Sequence, residues 1–237
     1  MIDAKSLLDR FLGPGAAGAA GGALDKGRQA LSGSGFGGLA GGAATGGVIA
    51  LLLGSKKARK FAGGALGYGG AAVLGALAHR AYQNWQQGRA PASAPLAAPQ
   101  EAAQVEPRFL PSAAPAADGK PFELALMRAM VGAARADGHV DAAERDRIIG
   151  QVERLGFDAE AKAYLFDLID QPVSVADIAA AATTPEQGAE LYLAARLSID
   201  PDQTAERAWL EALAHRLRLE PGLAAHLDKQ AEGALTA

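Results

Sequence analysis

The sequence predicts an all-α protein, and three observations carry that reading. From Pro121 onward apolar residues recur at helical spacing between legible caps, with no convincing strand. Of the 237 residues 49% are apolar but only 5% are aromatic, and alanine dominates the apolar set, which disfavours a large β-sandwich or α/β barrel. Glycine and proline then divide the chain: 22 of 30 glycines precede residue 90, and 7 of 12 prolines fall between Pro91 and Pro121. The expected architecture is a Gly-rich region over 1–89 with membrane-associated helices, a disordered Pro/Ala-rich tether over 90–120, and a helical bundle over 121–237.

Charge follows the same division. Residues 1–90 carry 10 Lys+Arg against 3 Asp+Glu, while residues 91–237 carry 13 against 23. The first part suits an anionic surface such as lipid headgroups, and the second suits water or cations. With no cysteine there is no disulfide framework, thiolate zinc site or cysteine nucleophile.

Taken in order, Met1 to Leu12 places Ile2, Leu7, Leu8, Phe11 and Leu12 on one face of a short helix, either interfacial, partner-binding or frayed. Asp3 and Asp9 exclude a secretory leader there. Residues 35–54 and 61–78 contain no charge, and each run is close to the roughly 20 residues that cross a bilayer as a helix. Their small residues recur every fourth position: Gly38, Gly42 and Gly46 in one run, and Gly63, Gly67, Ala71 and Gly75 in the other. Such a stripe lets a second backbone approach closely, the pattern of a glycine zipper. The competing reading is a flexible Gly/Ala linker. Lys56, Lys57, Arg59 and Lys60 between the runs are expected to face the cytoplasm, so two spans would put the bundle outside and one span would keep it inside.

Within the bundle, Phe122 to Ala136 reads as a helix burying Phe122, Leu126, Met130 and Ala133. Asp141 and Glu144 form a capping box before Ile148, Ile149, Val152 and Leu155. Asp158 caps a helix with Tyr164, Leu165, Leu168 and Ile169 on its buried side, and Ser174 with Asp177 opens the next. Thr184, Pro185 and Gln187 combine an N-cap, a proline at the first helical position and a capping-box partner. Asp200, Pro201 and Gln203 repeat that grammar before Trp209, Leu210, Leu213 and Leu217, and Pro221 opens a last short helix. About seven helices result. A weak internal echo aligns the stretch from Ala133 with that from Ala194, pointing to two similar helix pairs about a pseudo-twofold axis.

The sharpest chemical string is Asp137 to Glu144, DGHVDAAE, which matches the latter part of an EF-hand loop. The first two ligand positions would be Ala133 and Arg135, so the loop lacks the oxygens that calcium needs there. The stretch LMRAMVGAARADGHVDAAERDRI, with its echo SIDPDQTAER, resembles the TerB-like helical domain. Together with the Gly-rich apolar N-terminal region and the Pro/Ala tether, the arrangement resembles the YebE-type bacterial inner-membrane proteins of unassigned function. That resemblance implies a compact helical fold and, as in TerB itself, acidic residues able to chelate a divalent cation such as Ca²⁺ or Mg²⁺. Carried onto this chain, the candidate ligands are Asp137, Asp141 and Glu144 with Asp200, Asp202 and Glu206, and His139 lies within the first cluster.

Asp141, Glu144 and Asp200 are equally explained as caps, worth about 1 kcal/mol each. His79 is expected at a membrane interface, and His215 and His226 in solvent. No Gly-x-Ser-x-Gly elbow, phosphate loop or dinucleotide fingerprint is present. The expectation is therefore a non-enzymatic, membrane-tethered interaction or envelope-stress-associated module, or alternatively a metal-sensing or metal-buffering domain. Its expected partners are the lipid bilayer and a protein or a second copy; nucleic acid is disfavoured by the acidic bundle. The expected location is the bacterial inner membrane.

Overall fold

A computed structural model of the chain describes residues 3–5, 7–8, 70–93, 105–136, 159–171, 173–199 and 201–236. Among these residues every regular element is helical, as expected. The elements are α1 (Gly70–Gln86), two 3₁₀ turns (Pro107–Phe109 and Pro111–Ala113), α2 (Phe122–Ala134), α3 (Ala159–Asp170), α4 (Val175–Ala180), α5 (Pro185–Ser198), α6 (Thr204–Arg216) and α7 (Pro221–Thr236).

Helix α5 is the axis of the fold. Every residue from Glu186 to Ser198 is buried, because α2 lies along one side and α1, α6 and α7 cover the others. Alanine-rich stretches make this enclosure possible, since Ala189, Ala194 and Ala195 let neighbouring backbones come close while Leu191, Leu193 and Leu197 fill the gaps. The echo-related stretches starting at Ala133 and Ala194 thus end two helices that pack on each other most extensively.

Local chemistry sets the boundaries. Ser174 caps α4 by accepting the Asp177 N–H at 3.0 Å. Thr184 caps α5 by accepting the Gln187 N–H at 3.2 Å, with Pro185 at the first turn. At α6 the sequence reading is corrected: the N-cap is Gln203, not Asp200, and Glu206 returns to the Gln203 N–H at 3.4 Å. The last helix is longer than expected, running 16 residues from Pro221.

Three further expectations change. The second candidate membrane run, 61–78, contributes its last nine residues to α1, which continues through His79, Arg80, Asn84 and Trp85. Val73, Leu74, Leu77 and Ala78 are buried there in the protein core, against α5 and α7, rather than left for lipid. No helix of the described residues is long and apolar enough to cross a membrane, and residues 35–54 lie outside the described set.

Within the segment expected as a tether, residues 90–93 and 105–120 are described. Val105 to Lys120 forms an ordered strap whose Phe109 is fully buried, with Pro111 and Ala116 buried beside it. Gln187 fastens the strap by donating to the Ala114 and Pro115 carbonyls at 3.2 and 3.1 Å. Its side-chain oxygen meanwhile accepts from the Thr183 N–H and hydroxyl, so all of its polar capacity is used inside the fold.

The chain start joins the same core. Ala4, Leu7 and Leu8 are buried, and a fully buried leucine contributes about 1.5–3 kcal/mol relative to exposure. Of the face expected in this segment Leu7 and Leu8 are covered by protein, and Ile2, Phe11 and Leu12 lie outside the described residues.

Candidate functional site

Of the seven metal candidates, Asp137, His139, Asp141, Glu144 and Asp200 lie outside the described residues. Asp202 is exposed in the turn before α6, where its backbone carbonyl accepts from Arg207 at 2.7 Å. Glu206 closes the Gln203 end of the helix. Among the described residues no group of three or more His, Asp or Glu side chains is placed to hold a metal ion.

The histidines differ from expectation. His79 sits against Phe109, with ring centroids 5.0 Å apart, and its Nε2 is 3.2 Å from Glu106 Oε1. It faces the strap rather than a membrane interface. His226 is buried between two carbonyl oxygens, Gly222 at 2.8 Å and Arg89 at 3.0 Å, and so ties the segment after α1 onto α7. Gln230 adds a bond to the Ala92 carbonyl at 3.0 Å. His215 is exposed, as expected.

An acidic set lies where α2, α5 and the strap meet. Glu186 is held by Arg108 at 2.9 Å, and Arg108 also reaches Glu106 at 2.7 Å. The Arg108 contact, followed by that of His79, holds the Glu106 carboxyl below its usual value. Glu190 is 1% exposed, and its Oε2 has no hydrogen-bond partner among the described residues. Burial, then the charges of Glu123 and Glu186, push its carboxyl well above the usual range. On the far side of α5, Tyr192 donates to Asp228 at 3.0 Å, and Arg196 lies 3.4 Å from the same oxygen. These groups join elements together.

Two concavities among the described residues are large enough to consider. A cleft of about 330 Å³ beside α2, α3 and α4 is lined by charges of both signs. Much of that lining is already satisfied: Lys120 pairs with Asp118 at 3.2 Å, Tyr164 donates to the Leu124 carbonyl, and Ser174 donates to Asp177.

The second is a wider groove of about 710 Å³. One wall is the Tyr82–Trp85 pair from the last turns of α1, packed edge to face at 5.4 Å. Alanines at the end of α4 form a floor of short side chains, and the Thr184–Pro185 start of α5 adjoins it. The α6–α7 connection supplies the opposite rim, with Arg216, Arg218 and Glu220. Gly222 leaves room for the indole, since a Cβ there would stand 3.1 Å from Trp85 Nε1.

None of the polar ends of Tyr82, Trp85, Arg216 or Arg218 has a hydrogen-bond or ion-pair partner among the described residues. The groove thus combines an aromatic wall, a shallow alanine floor and a rim of unspent donors.

Sequence reasoning missed this face. Tyr82 and Trp85 follow the uncharged run, and neither is assigned a role from sequence. The available signal was their spacing of three, which stacks two rare aromatics on one helical face in a chain with only two tryptophans.

Comparison with known proteins adds family and little function. The family described as "Protein of unknown function (DUF533)" matches residues 38–231. A protein of Yersinia enterocolitica described as "Uncharacterized protein in ampR 5'region" is 32% identical over 94 residues, covering 40% of this chain and 68% of that relative. No solved structure matches.

Proposed function

The chain belongs to the DUF533 family of unknown function, and from that premise we propose that it is a non-enzymatic interaction module held at the bacterial inner membrane. The observation that carries the reading is the groove between α1, α4 and the α6–α7 connection, where the polar ends of Tyr82, Trp85, Arg216 and Arg218 have no hydrogen-bond or ion-pair partner among the described residues. A mostly pre-formed concavity lined by apolar side chains, with few polar groups at its edge, is the usual form of a binding site. Support for the tether comes from sequence: the uncharged run 35–54 and the basic cluster after it, together with the likeness to YebE-type envelope proteins.

The alternative of metal sensing draws no support from Asp202 and Glu206, the two described members of its ligand set. Carbonate extraction tests the tether: the chain stays with the membrane pellet, and release into the supernatant argues against it. A photo-crosslinking residue at Ala180, in the groove, tests the module in cells against the same residue at exposed Ala205 on α6. A discrete adduct at position 180 and none at 205 supports the groove as the working face; the reverse pattern argues against it.

A further inference from the structure

The partner's chemistry is written in the rim of the groove. Helix α6 ends in a Schellman motif: the Leu219 N–H reaches the Ala214 carbonyl at 3.0 Å, and the Arg218 N–H reaches the His215 carbonyl at 3.1 Å. The residue between the two bonds must take the left-handed conformation, and glycine is the usual occupant because a Cβ there is unfavourable. Here it is Arg218, with φ of 55°, the single non-glycine residue of positive φ among the described residues. The chain accepts a strained backbone at the one place where that side chain lines the groove.

Charge gives the same direction. The segment 91–237 carries 23 acidic against 13 basic residues. The groove inverts that balance, with Arg216 and Arg218 against Glu220 alone, plus the Trp85 N–H and Tyr82 O–H as neutral donors. The first residues of α5 add the positive end of a 14-residue helix. An acidic ligand is repelled by most of this surface and attracted here, which makes docking selective. The alanines that line the groove with Trp85 leave space for a bulky apolar group.

We propose that the groove binds an acidic segment of a partner protein that inserts an apolar side chain between Trp85 and the α4 alanines and sets its carboxylates on Arg216 and Arg218. The proposal rests on the reading of this groove as the working face and specifies what occupies it. A phosphate-bearing lipid would use the same arginines with its acyl chains as the apolar part, and the vesicle arm of the test separates it from the peptide.

The test uses the full chain in detergent and short fluorescein-labelled peptides carrying leucine and phenylalanine, with glutamate, glutamine or lysine between them. Vesicles of phosphatidylglycerol serve as the lipid arm. The glutamate peptide is expected to bind about tenfold or more tighter than the glutamine peptide, and the lysine peptide to bind weakest. Arg218→Gly is expected to weaken glutamate-peptide binding about tenfold while raising the melting temperature, because glycine relieves the strained position.

A gain in stability with a loss of binding cannot come from misfolding. Equal binding of the glutamate and glutamine peptides, or no binding of any peptide up to about 1 mM, overturns the proposal. Arg218-dependent capture by phosphatidylglycerol vesicles with no competition from the glutamate peptide overturns it in favour of lipid. If crosslinking from position 180 persists while the acidic preference is absent, the groove remains a docking face and only the acidic partner is lost.

Discussion

Gly75 of α1 lies directly against the Phe109 carbonyl oxygen, so closely that a Cβ at position 75 would overlap it. Of the stripe Gly63, Gly67, Ala71 and Gly75, the described contact is that of Gly75, and the backbone it meets belongs to the strap. With Phe109 fully buried against His79 and Tyr82, this contact joins α1 to the 105–120 segment and makes both part of one core.

Gly75→Ala is therefore expected to destabilise the fold by about 1–3 kcal/mol, the range for overpacking, because the obstructing atom is backbone and cannot rotate away. Gly132→Ala provides the comparison, since its new methyl meets the Ile178 Cδ1 at 2.9 Å and the Trp209 ring edge at 3.2 Å, and Ile178 ends in a movable methyl. Urea unfolding of the two variants measures the difference. A smaller loss at 75 than at 132 would mean that the strap yields.

Glu190 gives a pH dependence of definite sign. Its folded pKa is raised by burial and by Glu123 and Glu186, so the folded state holds the proton more tightly than the unfolded chain does. The stabilisation is fully present below the unfolded carboxyl value of about 4.3 and is lost as pH rises toward the folded value. Glu190→Gln stays neutral throughout and is expected to show a flatter stability profile above that value. The difference grows by at most about 1.4 kcal/mol per pH unit. Denaturation midpoints from pH 4 to 8 measure it, and parallel profiles would show that Glu190 titrates normally.

Arg108 bridges the strap to α5 through Glu186 and lies over the Tyr82 and Phe109 rings at 5.6 and 5.4 Å. Arg108→Ala leaves Glu186, 9% exposed, without its ion partner, and an unsatisfied buried group costs about 1–3 kcal/mol. Adding Glu186→Gln to that variant is expected to restore part of the loss. A double-mutant cycle by urea unfolding checks this, and simple additivity would mean that the ion pair contributes nothing.

For Glu206 the expected role is helix closure. Glu206→Ala should lower stability by about 0.5–1 kcal/mol equally with and without millimolar Ca²⁺, Mg²⁺ or Mn²⁺. A melting temperature that rises with one of these ions in the parent chain and not in Glu206→Ala would restore the metal reading.

How far the fold could be read from sequence depended on the range of the interactions. Ser174, Thr184 and Pro185 cap or open helices as expected, because capping is decided within four residues. The start of α6 was placed too early because Asp200 and Gln203 both carry capping side chains, and the reciprocal bond to Glu206 decides between them. Phe109 shows the opposite limit: its segment has the composition of a tether, and burial comes from α1 and α5, distant in sequence. His226 was read as solvated because its neighbours are polar, whereas its partners Arg89 and Gly222 become visible only once the chain is folded. The groove was hidden for the same reason, since Trp85, Ala180 and Arg218 are brought together by helix packing.

The most direct test of the account is to fill the groove without touching its charges. Ala180→Trp places an indole on the alanine floor, and Ala205→Trp places one on an exposed face of α6 as the control. The measurement is the affinity of the glutamate peptide for each variant by fluorescence anisotropy, with melting temperatures confirming that both fold. The account predicts at least about tenfold weaker binding for Ala180→Trp and unchanged binding for Ala205→Trp. Equal affinities for the two folded variants would contradict it.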